Sequence, residues 1–288
     1  MVRIFVPINF SEYSINALNY AIALGQKIPS EVTLVHCSAP LMDSVEVEDG
    51  QTILSGSDAI VDHSKAVIEE RLTELIQSVE ERLSDDQKRY LRIVTHLETG
   101  YPEDVLVELS KTEDPDVIVM GTKSKGETIK ELLGSVTSDV VKDAKVPVLA
   151  VPAESSINIE EINNILFVTD FSTSDYRSLH KLVRLITPFE TCIHAVHFTT
   201  SVPDKFDKMK LEAMRFYCDR TYRNHRINFE CITSDNYIDS LDQVIADKHV
   251  SLIAMTRHKR NVISQIFHPS FSRKILFHTD IPLLVLHE

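Results

Sequence analysis

The chain has 288 residues, 43% of them hydrophobic, and a formal net charge of −13. The length favours two domains, and the acidity argues against broad binding to nucleic-acid phosphates. With no apolar run of about 18 residues and no leader pattern, a soluble, cytoplasmic protein with no membrane partner is expected.

In chain order, residues 2–8 are a short β-branched run that predicts a strand. Ser11 follows where it can cap a helix carrying Ile15, Leu18, Ile22 and Leu24 at helical spacing. Residues 32–36 predict a second strand, and the polar stretch 39–62 a loop. Val67, Ile68, Leu72, Leu75, Ile76, Val79 and Leu83 then mark a helix. Residues 91–97 predict a third strand, and Pro102 starts a helix through residue 109. A fourth strand at 117–120, a helix at 135–142 and a fifth strand at 146–151 complete the series. The same order returns, with strands at 165–169, 192–198, 228–233, 252–255 and 283–286. Helices are expected between them at 174–186, 204–223, 238–246 and 271–277.

The recurrence is an internal repeat. Phe10-Ser11 returns as Phe171-Ser172, and Val35-His36 as Val196-His197, both 161 residues later. Further on the offset is 135, aligning Val117-Ile118-Val119-Met120 with Leu252-Ile253-Ala254-Met255 and Pro147-Val148-Leu149 with Pro282-Leu283-Leu284. The second copy therefore lacks 26 residues, lost between about 39 and 90. The copies divide at 1–153 and 160–288. Charge divides with them: 14 basic and 26 acidic side chains up to residue 152, 16 and 17 after it. At this hydrophobic content each copy can bury an ordinary core.

Alternating strands and helices predict an α/β fold with a five-stranded parallel sheet, flanked by helices, in each copy. Such sheets bind ligands beyond the carboxyl ends of their strands, where strand order reverses. In copy one those places are residues 9–11, Cys37 and 121–135. Gly121 and Gly126 suggest a Walker loop, but Glu127 stands where its lysine belongs, and a carboxylate there repels phosphate. A helix start at Gly134-Ser135, with Thr137 and with Lys123, Lys125 and Lys130 nearby, offers a different anion cradle. An ordinary strand–loop–helix connection with solvated lysines fits the same residues. None of the seven glycines follows Gly134, so copy two has no glycine-rich phosphate loop.

Other chemistry is sparse. The four cysteines have no C-x-x-C spacing and read as reduced thiols. His194 and His197 fall on opposite faces of a strand, which is poor for a shared metal. There is no nucleophile elbow and no supported triad, so the chain is not expected to be an enzyme.

Taken together, Val6-Pro7-Ile8-Asn9-Phe10-Ser11, Leu34-Val35-His36, Met120-Gly121, Gly134-Ser135-Val136-Thr137 and Pro147-Val148-Leu149-Ala150-Val151 resemble the universal stress protein family, in two tandem copies. The resemblance implies two Rossmann-like domains of the adenine nucleotide alpha hydrolase-like type. It also implies a non-catalytic stress-response regulator binding ATP or AMP, with or without magnesium, in the N-terminal copy. A scaffold for protein interaction that binds no nucleotide is the alternative. By resemblance, Asn9 and Cys37 line the adenine and ribose side, and Gly121, Ser124, Gly134, Ser135 and Thr137 line the phosphates. Pro7, Ser11, Met120 and Val136 complete the implied nucleotide site. Two positions depart from the family pattern: Asn9 replaces an aspartate, and Ser124 replaces the middle glycine of the loop. Copy two keeps Asp170 but carries Thr256 and Pro269 where the flanking glycines belong. A side chain at Thr256 crowds the turn and Pro269 removes an N–H, so no cofactor is expected there. The basic run 257–260 reads as a solvated loop or as a face toward the acidic copy. The resemblance further implies an internal pseudo-dimer, joined through the edges at 146–151 and 282–286, and a homodimer as a further assembly.

Overall fold

The computed structural model describes residues 1–38, 57–122, 135–153, 155, 162–257 and 280–287, with backbone alone for 57–64 and 135. The first half runs β1 (Val2–Pro7), α1 (Glu12–Gly25), β2 (Ser30–Ser38), α2 (Ser57–Glu80), α3 (Asp85–Tyr90), β3 (Leu91–Thr99), α4 (Pro102–Thr112), β4 (Val117–Thr122), α5 (Ser135–Asp143) and β5 (Val148–Pro152). The second runs β6 (Asn164–Val168), α6 (Thr173–Ile186), β7 (Cys192–Thr199), α7 (Lys205–Thr221), β8 (Arg226–Thr233), α8 (Tyr237–Lys248), β9 (Leu252–Arg257) and β10 (Leu283–His287). The helix expected at 271–277 lies outside the described residues. No helix among them is long and apolar enough to cross a membrane.

Two elements differ from the sequence reading. Helix α2 begins at Ser57, inside the stretch read as a polar loop. Ile60 and Val61 precede Val67 and Ile68 by one heptad, a helical recurrence that the surrounding polar residues hide. Helix α3 was not anticipated. It buries none of its side chains, so periodicity carries no signal. Its signal is a capping box: the Gln87 N–H donates to Ser84 Oγ at 3.3 Å, and the Ser84 N–H donates to Gln87 Oε1 at 2.8 Å.

All ten strands form one sheet, ordered β3-β2-β1-β4-β5-β10-β9-β6-β7-β8. Each half is parallel within itself, and strand order reverses between β1 and β4 and again between β6 and β9. The halves join where β5 pairs antiparallel with β10, Leu284 opposite Leu149. Buried hydrophobic residues form two clusters, divided by the faces of the sheet and not by the repeat. One face packs Leu18 of α1, Leu72 of α2, Leu179 of α6 and Met214 of α7. The other packs Leu106 of α4, Val140 of α5 and Leu241 of α8. Both clusters run through both copies. The separate core expected for each copy is thus replaced by one core for each face, because β5–β10 pairing makes each face continuous.

Polar contacts reinforce the seam. Arg184 of α6 reaches Asp116, just before β4, at 2.7 Å. The Lys27 ammonium lies 5.2 Å from the centre of the Phe189 ring. His287 Nε2–H donates to the Val141 carbonyl at 2.8 Å, and burial pushes this imidazole down to about 4, so it is neutral at physiological pH. Arg257 is half-buried, which lowers its pKa, while the charge of Asp143 across the seam raises it. The first residue of the basic run therefore faces the acidic copy; 258–260 lie outside the described residues.

Candidate functional site

In copy one the chain leaves β1 through a tight turn. Phe10 takes a left-handed conformation with φ of 63°, uncommon for a residue with a bulky side chain. Asn9 makes the turn affordable in hydrogen bonds: its Oδ1 accepts from the Ser11 N–H at 3.1 Å and the Ser11 hydroxyl at 2.6 Å. Ser11 Oγ in turn accepts from the Ser14 N–H and caps α1. His36 Nδ1–H donates to the Ile8 carbonyl at 2.7 Å, and its ring packs 5.6 Å from Phe10. Copy two repeats the device. Phe171 has φ of 56°, Asp170 Oδ1 accepts from the Ser172 N–H, and His197 Nδ1–H donates to the Thr169 carbonyl. Both repeat-related histidines brace a strand end.

Beyond these turns the copies diverge. At the strand-order reversal of copy one lies a cleft of about 220 Å³. Of the eleven residues proposed from sequence, Pro7, Asn9, Ser11, Cys37, Met120, Gly121, Val136 and Thr137 line it. Ser124 and Gly134 lie outside the described residues, and Ser135 is described only as the first residue of α5. Ile8, Tyr13, Ser14, Val35, Pro102 and Thr122 complete the lining. Sequence reasoning missed these six: Ile8, Val35 and Thr122 lie beside the proposed positions at the same strand ends, and Tyr13, Ser14 and Pro102 enter only when α1 and α4 pack against the strands.

Gly121 is what lets α1 approach β4. A Cβ at this position would sit 2.1 Å from the Tyr13 carbonyl oxygen, a backbone atom that cannot swing aside. Thr137 donates its hydroxyl to the Gly121 carbonyl at 3.3 Å and ties the start of α5 to the end of β4. Two expected ligand groups are thus engaged within the protein: the Thr137 hydroxyl with Gly121, and the Asn9 carbonyl with Ser11. Cys37 is a neutral thiol. Burial first, and then the charges of Glu98 and Glu103, raise it to about 11, so it is no nucleophile. Among the described residues no group of three or more His, Cys, Asp or Glu side chains is placed to hold a metal ion.

In copy two the same place holds a buried polar knot. Thr256 stands at the position of Gly121, and Asp175 at that of Ser14. Asp175 is fully buried. It accepts from the Thr256 hydroxyl, the Thr169 hydroxyl at 2.6 Å, the Asp170 N–H at 3.0 Å and the Ser172 N–H at 3.2 Å. Burial, followed by the charge of Asp170, raises its carboxyl from 3.8 to about 6. The side chain that crowds the turn at Thr256 therefore has a structural partner, and the two stand where copy one has Gly121 and Ser14 in the lining of its cleft.

Known proteins agree with this architecture. The family model described as the universal stress protein family matches residues 1–152. A universal stress protein of Methanocaldococcus jannaschii is 27% identical over 163 residues, covering 54% of this chain and 96% of the relative. One from Synechocystis is 26% identical over 152 residues, covering 52% and 96%. The crystal structure of a universal stress protein from Archaeoglobus fulgidus matches 99% of this chain and 98% of its own, with a TM-score of 0.73 at 19% identity. That last likeness is one of fold across both copies.

Proposed function

The chain belongs to the universal stress protein family, and from that premise we propose that its N-terminal copy binds an adenine nucleotide, ATP or AMP, in the cleft beyond β1, β2 and β4. The protein acts as a non-catalytic, stress-responsive regulator in the cytoplasm, and copy two serves as its structural partner. The observation that carries this reading is the contrast between the copies: Pro7, Asn9, Met120, Gly121 and Thr137 line an open cleft in one, while at the matching strand end of the other Thr256 is bonded to the buried Asp175.

The residues present suit the base and sugar. Pro7, Ile8, Val35, Met120 and Val136 supply apolar walls, and Asn9, Ser11 and Thr122 supply polar edges. At about 220 Å³ the cleft is smaller than a whole drug-sized site of ~300–1,000 Å³, so phosphates extend outward toward the start of α5. A helix N-terminus favours an anion there by about 0.3–1 kcal/mol. Among the described lining residues, neither the neutral Cys37 nor any other group is a water-activating base, which supports binding without turnover.

Calorimetric titration with ATP and AMP, with and without magnesium, tests the reading. Ser135→Glu places a carboxylate at the helix start and is expected to weaken binding about tenfold or more. Arg257→Ala, in copy two, leaves it unchanged. Binding weaker than ~1 mM for both nucleotides would exclude the sensor and leave the interaction scaffold.

A further inference from the structure

Helix α7 carries an unusual outer face. Nine large hydrophobic side chains stand exposed among the described residues, and five of them lie between 202 and 217: Val202, Phe206, Met209, Phe216 and Tyr217. Phe206 is 56% exposed, Met209 58% and Phe216 62%. At i, i+3 and i+10 these three share one stripe, opposite Met214 and Cys218, which are buried against the sheet. Five of the eight charged side chains of α7 are basic, and cations border the stripe. The Lys210 ammonium lies 4.7 Å from the Phe206 ring centre and the Arg220 guanidinium 4.7 Å from that of Phe216. Lys205 has no ion-pair partner among the described residues, whereas Glu212, between Met209 and Phe216 on the stripe, is taken by Arg215 at 3.0 Å. A clustered apolar stripe set with basic groups marks an interaction surface.

The repeat supplies its complement. Helix α2 is the counterpart of α7 in copy one, connecting β2 to β3 as α7 connects β7 to β8. Its outward stripe reads Ala66, Glu70, Thr73, Glu74 and Gln77, continued just past the helix end by Glu81, all exposed, with Val67 41% exposed beside it. Every charge on that stripe is a carboxylate. Both helices pack into the same core cluster, so they share one face of the sheet, and the strand order puts them at its opposite ends. A twofold axis running along the strands, between two molecules stacked on this face, sets each α7 against the α2 of the other molecule. That arrangement makes the contact twice and closes at two subunits.

We propose that the α7 face docks on the acidic α2 face of a second copy of this chain, forming a twofold dimer. The charge distribution favours a second copy over an anionic lipid surface. The net −13 of the whole chain opposes approach to anionic lipid, whereas the α2 stripe of copy one brings carboxylates to meet the cations beside the α7 stripe.

Sedimentation velocity of the full chain across a salt series tests this. A dimer at low salt that dissociates as screening rises is expected. Lys205→Glu with Lys210→Glu and Arg220→Glu is expected to weaken dimerisation about tenfold or more, as is Glu70→Lys with Glu74→Lys and Glu81→Lys. Mixing the two variants restores a dimer, since each then offers the face the other lost. Phe206→Asp with Phe216→Asp weakens the dimer without reversing a charge. Circular dichroism verifies that each variant is folded. A wild-type chain that stays monomeric at low salt overturns the proposal, as does a dimer indifferent to all three variants. Binding of the wild-type monomer to anionic vesicles through α7 also overturns it.

Discussion

Asp175 shows how a single side chain decides which copy keeps an open strand end. The carboxylate satisfies four donors, but full burial makes its charge costly and lifts its pKa to about 6. Its folded value lies above the unfolded one. The stability it contributes is therefore fully present below about 3.8 and is lost as pH rises through about 6. Asp175→Asn removes that dependence. An amide oxygen still accepts from Thr169, Asp170 and Ser172, and the amide nitrogen donates to Thr256. Thermal melts from about pH 4 to about pH 7 are expected to show the wild type losing stability relative to the variant, with the variant at least as stable near neutrality. A constant difference across that range would mean that another group titrates. Asp175→Ala instead strands four buried donors and is expected to cost at least about 2 kcal/mol in urea unfolding. The sequence revealed half of this. Thr256 was legible as crowding the turn, but Asp175, 81 residues away, was not legible as its partner. No local pattern marks an aspartate on the first turn of a helix as buried; that depends on which strand end lies under it.

At the scale of elements, legibility followed the strength of each periodic signal. The central strands were placed to within a few residues because their apolar runs are buried on both faces, as in parallel sheets generally. Helix α3 was missed because it lies on the surface with no buried residue, held by its cap and by the Gln87 Nε2–H bond to Gln26 Oε1 at 2.9 Å. Ser84→Ala is accordingly expected to cost about 1 kcal/mol, read from denaturant midpoints, and to leave the copy-one cleft unaltered. A loss above about 2 kcal/mol would mean that α3 holds the edge strand β3 in place. The cleft shows the same limit. Eight of its lining residues belong to motifs at strand ends or at the start of α5, whereas Tyr13, Ser14 and Pro102 come from helices whose approach is set by Gly121 and by packing.

For the whole molecule, the continuous sheet has a thermodynamic consequence. Each hydrophobic cluster contains residues of both copies, so neither copy can unfold without exposing the core of the other. A single transition is expected in calorimetry and in circular dichroism, with calorimetric and van't Hoff enthalpies in agreement. Two separable transitions would show that the seam couples the copies only weakly. Residues 1–153 alone would leave β5 as an unpaired edge of Val, Leu and Ala, and are expected to self-associate or aggregate.

By itself, the sequence determined the order of strands and helices, the repeat, the missing segment of the second copy, and which half retains glycine at the strand-end turn. These follow from local rules: periodicity, capping and the steric freedom of glycine operate over a few residues and can be read in chain order. Only the tertiary structure decided that the cores divide by face, that β5 and β10 close the molecule, that Asp175 fills the second site and that α7 and α2 share one face. Those outcomes join residues 80 to 150 positions apart. Their energy comes from packing and desolvation in a particular arrangement, which no segment of the chain encodes alone.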